Sequence, residues 1–202
     1  MKIIFNKKGQ SLLEVIIAVS VLLISLTATI VLVVTSINAG RDSRNKLIGS
    51  SLAREGIEIV RNIRDSNWSD PSHPAWDSGL VSGNDNMAQP VIDGTSNITL
   101  DFSITAPTNL KYSDALDQFL QGSSASGSRT EFFRILYLNP ICRLDTDGDE
   151  KIPVKTSTDD CTAFGLGYAK VGVRIISEVH WPDASSSKKI IIEDRLYNWL
   201  AL

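Results

Sequence analysis

The chain begins its apolar patterning with a long uncharged run. Residues 15–37 read VIIAVSVLLISLTATIVLVVTSI, 23 residues with no charge, no Gly and no Pro. As a helix this run is about 34 Å long, enough to cross a hydrocarbon layer of roughly 30 Å. It is longer than the apolar region of an ordinary secretory signal, and no clear A-x-A pattern follows it. The periodicity then changes. From residue 44 to residue 65 no Pro occurs, and Ile48, Leu52, Gly56, Ile59, Val60 and Ile63 recur at spacings of three and four. That is one apolar helical stripe. Arg54, Glu58, Arg61 and Asp65 fall opposite it, as a solvated face of mixed sign. Gly40 and Gly49 are the positions expected to weaken the helix. The pattern predicts a single long helix over 10–65, with a membrane segment at about 14–37.

Periodicity fades over 66–96, where Pro71, Pro74 and Pro90 stand among Asp, Asn, Gly and Ser. The expectation there is a long loop, pinned to the head by Trp68 and Trp76. Strand alternation follows. Ile98, Leu100, Phe102 and Ile104 alternate with polar neighbours, and residues 130–138 form a second run. Val171, Val173, Ile175, Val179 and Trp181 share one face of a third, at 170–181, and 188–199 is a fourth. The turn-forming Pro182–Ser187 segment makes the last two a hairpin. Gly122–Ser128 reads as a flexible loop. The predicted class is α+β: a long N-terminal helix packed on an antiparallel sheet, with 66–202 as a globular head.

Charge changes the picture at one end. The 202 residues carry 20 basic and 23 acidic side chains, a net charge of −3, without the basic excess of a nucleic-acid-binding domain. Residues 1–9 hold Lys2, Lys7 and Lys8 and no acid. Arg41, Arg44 and Lys46 follow the span, so positive charge is nearly balanced across it; the acid-free leader favours an N-terminus kept inside. Glu14 is the one carboxylate at the mouth of the apolar run. A charge in a bilayer is costly and usually has a partner. If the chain is cut after Gly9, the new ammonium of Gln10 lies one helical turn from Glu14, and in an assembly a neighbour's ammonium serves equally.

The junction K-K-G-Q-S-L-L-E ahead of an apolar run resembles a prepilin leader and mature N-terminus of the type IV pilin family. The resemblance implies a leader at 1–9, cleavage between Gly9 and Gln10 by a membrane prepilin peptidase, and N-methylation of Gln10 by the same enzyme. It makes Glu14 the family's acidic assembly residue. Gln10 stands where Phe is commonest, and Ser11 where Thr is usual. The segment 51–68 and the V-x-W and Y-N-W of the C-terminal hairpin are also similar to pilin-like proteins. The implied function is a structural subunit, a minor pilin or pseudopilin, of a type IV pilus or type II secretion-like filament. Its partners are then other pilin subunits, the peptidase and the membrane. It sits as a single-pass protein of the inner membrane with its head outside the cytoplasm, until it joins the filament.

Two cysteines behind an export-type N-terminus suggest one disulfide, Cys142 to Cys161, formed in an oxidising compartment. A pilin-like C-terminal loop agrees with it. Between them Asp145, Asp147 and Asp149 alternate around Gly148, a spacing at which carboxylates converge on a hard cation such as Ca2+. The match to an EF-hand loop is incomplete, since Glu150 and Thr156 occupy two of its key positions; Asp159 or Asp160 completes the shell. Two cysteines with no neighbouring His cannot form a zinc site. His73 and His180 are the only histidines, and no nucleophile elbow, phosphate loop or H-E-x-x-H accompanies them. The expectation is a non-enzyme. The rival readings are a monomeric, membrane-tethered calcium- or ligand-binding module, and an exported enzyme with an unrecognised site.

Overall fold

The computed structural model describes residues 12–72, 75–80, 87–92, 98–104, 106–114, 118–122, 125–144, 150–151, 161–165, 167–183 and 186–198. One helix, α1, runs unbroken from Leu12 to Ser69. The chain divides into two units, Met1–Asn45 and Lys46–Leu202. Within the first, the apolar side chains of α1 from Leu12 to Ile37 are exposed. The segment is long and apolar enough to cross a membrane, and none of its most apolar stretch is buried by the chain. Five of its hydroxyls are turned back onto the helix. Ser20 donates to the Ile16 carbonyl at 2.8 Å, Ser25 to Leu22 at 2.9 Å and Thr29 to Ser25 at 2.8 Å. Thr27 and Thr35 do the same, to Ile24 and Leu32. These hydroxyl protons are therefore satisfied within the helix, as a hydrocarbon surrounding requires.

In the second unit the amphipathic part of α1 packs on an antiparallel sheet. That is the α+β architecture the sequence predicts. The strands are β1 (Met87–Ile92), β2 (Ile98–Asp101), β3 (Asn109–Ser113), β4 (Gln118–Leu120), β5 (Ser128–Leu144), β6 (Glu150–Lys151), β7 (Tyr168–Pro182) and β8 (Ser187–Tyr197). The long β5 organises the sheet. One of its edges pairs with β7 from Phe133↔His180 to Leu144↔Tyr168, with an irregularity between Ile141 and Cys142. Its other edge is shared along its length by β3, β1 and β6. β2 then pairs with β1, and β4 with β3. The predicted C-terminal hairpin is present. β7 and β8 pair from Gly172↔Tyr197 to Pro182↔Ser187, and Asp183 N–H donates to the Ser186 carbonyl at 2.7 Å.

Side chains alternate across a strand, so β7 sends Val173, Ile175, Ser177, Val179 and Trp181 to the buried face. They meet α1 in two clusters. Leu52 and Ala53 pack with Leu110, Phe132, Val179 and Trp181. Ile57 and Val60 pack with Leu80, Ala88, Leu136, Leu138, Val173, Ile175 and Leu196. Each fully buried aliphatic side chain contributes about 1.5–3 kcal/mol relative to exposure. The observed stripe includes Gly49, Ala53 and Ile57 beside the predicted positions. Gly49 does not break the helix. It lets α1 approach the sheet, since a Cβ there would sit 2.8 Å from the Trp181 ring.

The stretch expected to be a long loop, 66–96, is more structured than that. α1 continues to Ser69, two residues before Pro71, and β1 occupies Met87–Ile92. Between them Leu80 is fully buried and Trp76 packs against the same core. Asn67 Nδ2 donates to the carbonyls of Trp76 at 3.0 Å and Ser78 at 2.8 Å, and Lys170 pairs with Asp77 at 2.6 Å. Strands β3, β4 and β6 are further elements beyond those predicted. Part of the loop 122–128 is held firmly. Gly127 has φ of 136°, and a Cβ on it would clash with the Tyr112 carbonyl oxygen.

Candidate functional site

The candidate assembly site is the start of α1. Glu14 lies in its first turn, at the favourable end of the helix dipole. Its residue is exposed, and it is the only carboxylate before Asp42. Around it Leu12, Leu13, Val15, Ile16 and Ile17 are all exposed. A charged group surrounded by apolar surface is the arrangement that seeks a cationic partner on another chain. Gly9 and Gln10 lie outside the described residues.

The second predicted site is the cysteine pair. Cys142 near the end of β5 is bonded to Cys161, at the start of a short 3-10 helix over Cys161–Phe164, with a Cα–Cα distance of 5.5 Å. Both cysteines are buried. Closing this loop stabilises the head by about 3 kcal/mol in the chain-entropy model. Reduction of the purified protein should lower its melting temperature accordingly, and non-reducing peptide mapping should recover the Cys142–Cys161 cross-link. Quantitative thiol labelling of the unreduced protein would overturn this. The proposed calcium ligands Asp145, Asp147 and Asp149 lie outside the described residues, as do Asp159, Asp160 and His73.

His180 sits on β7, facing away from α1. Its Nε2 is 2.9 Å from Glu178 Oε1, and Lys189 donates to the same oxygen at 2.7 Å. Burial, and then the charge of Glu178, push the Tyr137 hydroxyl above the usual phenol range. Ser177 is on the opposite face of the strand from His180 and fully buried, so the two cannot form a nucleophile–base pair. The arrangement is a charge cluster on the outer face of the sheet.

One buried group escaped the sequence reading. Arg134 points from β5 toward α1 and is 1% exposed. Its Nη1 donates to the Leu52 carbonyl at 3.1 Å and lies 3.4 Å from Glu55 Oε1. Desolvation lowers its pKa, and Glu55 opposes that shift. Gln121 is equally buried and donates to the Arg134 carbonyl at 2.7 Å. Yet among the described residues Arg134 Nε, Gln121 Oε1 and Ser177 Oγ have no hydrogen-bond partner. A cation at an inward position of an alternating strand reads from sequence as a polar interruption, and only its residue type hinted at more. Arg61 also departs from the solvated-face reading. It bridges from α1 to Asp194 of β8 at 2.8 Å, while pairing with Glu58. No protein-family model, no curated protein and no solved structure matches the chain.

Proposed function

We propose that the chain is a structural subunit, a minor pilin or pseudopilin, of a type IV pilus or type II secretion-like filament. It is exported as a membrane-anchored precursor, cut after Gly9 and N-methylated at Gln10 by a prepilin peptidase. The observation that carries this reading is the character of α1. One unbroken helix begins with an uncovered apolar surface bearing the single carboxylate Glu14, and continues into a half packed on an antiparallel sheet. An exposed surface of this kind is stable only in lipid or against other apolar helices. Before assembly the bilayer covers it. In the filament neighbouring helices cover one another, and the carboxylate of Glu14 pairs with a neighbour's Gln10 ammonium to fix their register. The outward-facing head then carries whatever distinguishes this subunit from others.

Mass spectrometry of the protein from a strain with active peptidase tests the processing step. The mature chain should begin at Gln10, carrying one added methyl group. In the same strain, Glu14→Ala should insert into the membrane as well as the parent but enter filaments poorly. An intact Met1 would overturn the reading and favour a monomeric tethered module. Normal incorporation of the Glu14→Ala chain would overturn the pairing.

A further inference from the structure

The last strand, β8, closes one side of the sheet and leaves its own outer edge open. It has 11 residues, and among the described residues it pairs with β7 alone. Neither Pro nor Gly interrupts it, and its ladder with β7 runs without a register shift. A long, regular edge of this kind is a template for one more strand.

The backbone groups on that edge can be assigned. In an antiparallel ladder, directly opposed residues alternate between pairs that exchange hydrogen bonds and pairs that do not. At one end of the β7–β8 ladder, Asp183 N–H donates to the Ser186 carbonyl at 2.7 Å. At the other end, Asn198 N–H donates to the Val171 carbonyl at 2.8 Å. Counted in from either end, the exchanging residues of β8 are Lys188, Ile190, Ile192, Asp194 and Leu196. The residues between them, Lys189, Ile191 and Glu193 included, turn their N–H and C=O to the free edge. Pro182, opposite Ser187, fits this count because it has no N–H to exchange. Arg195 fits it too, since its N–H donates to the Asp194 side chain at 2.8 Å.

The order of side chains then selects the occupant. Residues 188–194 read K-K-I-I-I-E-D. Laid antiparallel on a copy of itself about Ile191, this segment sets Lys188 opposite Asp194, Lys189 opposite Glu193 and Ile190 opposite Ile192. Ile191 then faces Ile191. The same centre sets outward backbone groups against outward ones, at 189 against 193 and at 191 against 191. A centre one residue away sets Lys189 opposite Ile191 or Arg195, and a parallel copy in register sets like charge on like. Opposite charges directly across a ladder are favourable, and like charges are unfavourable.

The ion pairs within the chain extend this match. On the outer face Lys189 meets Glu178 and Glu193 meets Arg174, yet the Lys189 side chain is 52% exposed and that of Glu193 38%. An ammonium and a carboxylate each take several hydrogen bonds. Joining two copies therefore makes the row Arg174, Glu193, then Lys189 and Glu178 of the copy, alternating in sign throughout. On the inner face Arg61 and Asp194 continue in the same way into Lys188 and Asp183 of the copy. Between the two outer rows lies Ile191, 51% exposed on a single chain.

We propose that β8 pairs with β8 of a second copy of this chain, antiparallel about Ile191, so that two sheets join across a two-fold axis. A contact of this kind uses the same patch on both partners and closes at two chains. It leaves no β8 edge open for further strands. The pairing belongs to the second unit and depends neither on processing of the N-terminus nor on a filament.

The test is residue-resolved amide hydrogen exchange on the full chain in detergent, at low and high protein concentration. At the higher concentration the amides of positions 189, 191 and 193 should slow at least about tenfold. Those of 190 and 192, bonded to β7 throughout, should keep their rates. Lys189→Glu and Glu193→Lys should each lose the slowing, because each sets like charges across the axis. An equimolar mixture of the two variants should regain it, since the two changes then face each other with opposite signs. Ile191→Pro removes only an outward N–H, a change that an edge strand tolerates. It should leave the protection of 190 and 192 intact and abolish the slowing at 189 and 193. Rates independent of concentration in the parent, slowing that persists in either charge variant alone, or a mixture that exchanges as fast as its components would each overturn the proposal.

Discussion

Replacing Gly56 by valine should destabilise the head by about 3 kcal/mol, the upper end of the usual cost of overpacking a core. The reason is the tightness of the contact between α1 and the sheet. A Cβ at this position would lie 2.7 Å from Ser177 Oγ, 2.9 Å from Leu136 Cδ2 and 3.2 Å from Arg134 Cδ. All three neighbours belong to paired strands in the centre of the sheet and are buried, so none can swing aside into solvent. The helix itself would gain from losing a glycine, by up to about 1 kcal/mol for alanine. The clash therefore has to exceed that gain, and with the branched valine it does. Gly40 provides the contrast. It is in the same helix with nothing within 4 Å of its would-be Cβ, so Gly40→Ala should be neutral or slightly stabilising. Urea titrations followed by the fluorescence of buried Trp181 measure both. A Gly56→Val midpoint equal to that of the parent would show that α1 does not dock as closely as described.

The second large effect is expected at the buried guanidinium. Glu55→Ala should cost about 2–3 kcal/mol. Removing one partner of a buried ion pair commonly costs 3–5 kcal/mol, and the partial exposure of Glu55 reduces this by admitting water. What remains among the described residues is the Arg134 guanidinium with the Leu52 backbone carbonyl, inside a protein core. The damage should be reversible by a second change. Arg134→Met removes the stranded charge and keeps much of the volume, so Glu55→Ala with Arg134→Met should lie within about 1 kcal/mol of the parent. A double variant no more stable than Glu55→Ala alone would mean that Arg134 contributes through its shape and hydrogen bonds and not through its charge.

The legible parts of this fold were those where burial follows a simple period. β7 shows its inward face plainly because Val173, Ile175, Val179 and Trp181 share one face, with Arg174, Glu178 and His180 on the other. α1 was legible for the opposite reason in its first half, where nothing interrupts the apolar run. Elements went unread where the pattern was broken by polar residues turned inward. β1 carries Gln89, which is buried because its side-chain oxygen accepts from the Thr108 hydroxyl at 3.0 Å, and it carries Pro90, which argues against a strand. β3 buries Leu110 between Asn109 and Lys111, too little alternation to register. The candidate assembly site was legible because Glu14 is a lone charge in an apolar context. The buried Arg134 contact with Glu55 was not, because it joins α1 to a strand about eighty residues away, and no local pattern records that proximity.

The order in which the core is completed has a further consequence. The face of α1 that carries Leu52, Ala53 and Val60 is made early, whereas Val173, Val179, Trp181 and Leu196, against which it packs, come more than a hundred positions later. Contacts so distant in sequence form slowly, because a long loop must close before they contribute. A chain whose head crosses a membrane behind such an anchor would therefore hold this apolar face uncovered until the hairpin of β7 and β8 appeared. During that interval the amphipathic part of the helix is a natural client for a holding chaperone. A chain stopped short of β7 should be cleared by proteases, however sound its anchor.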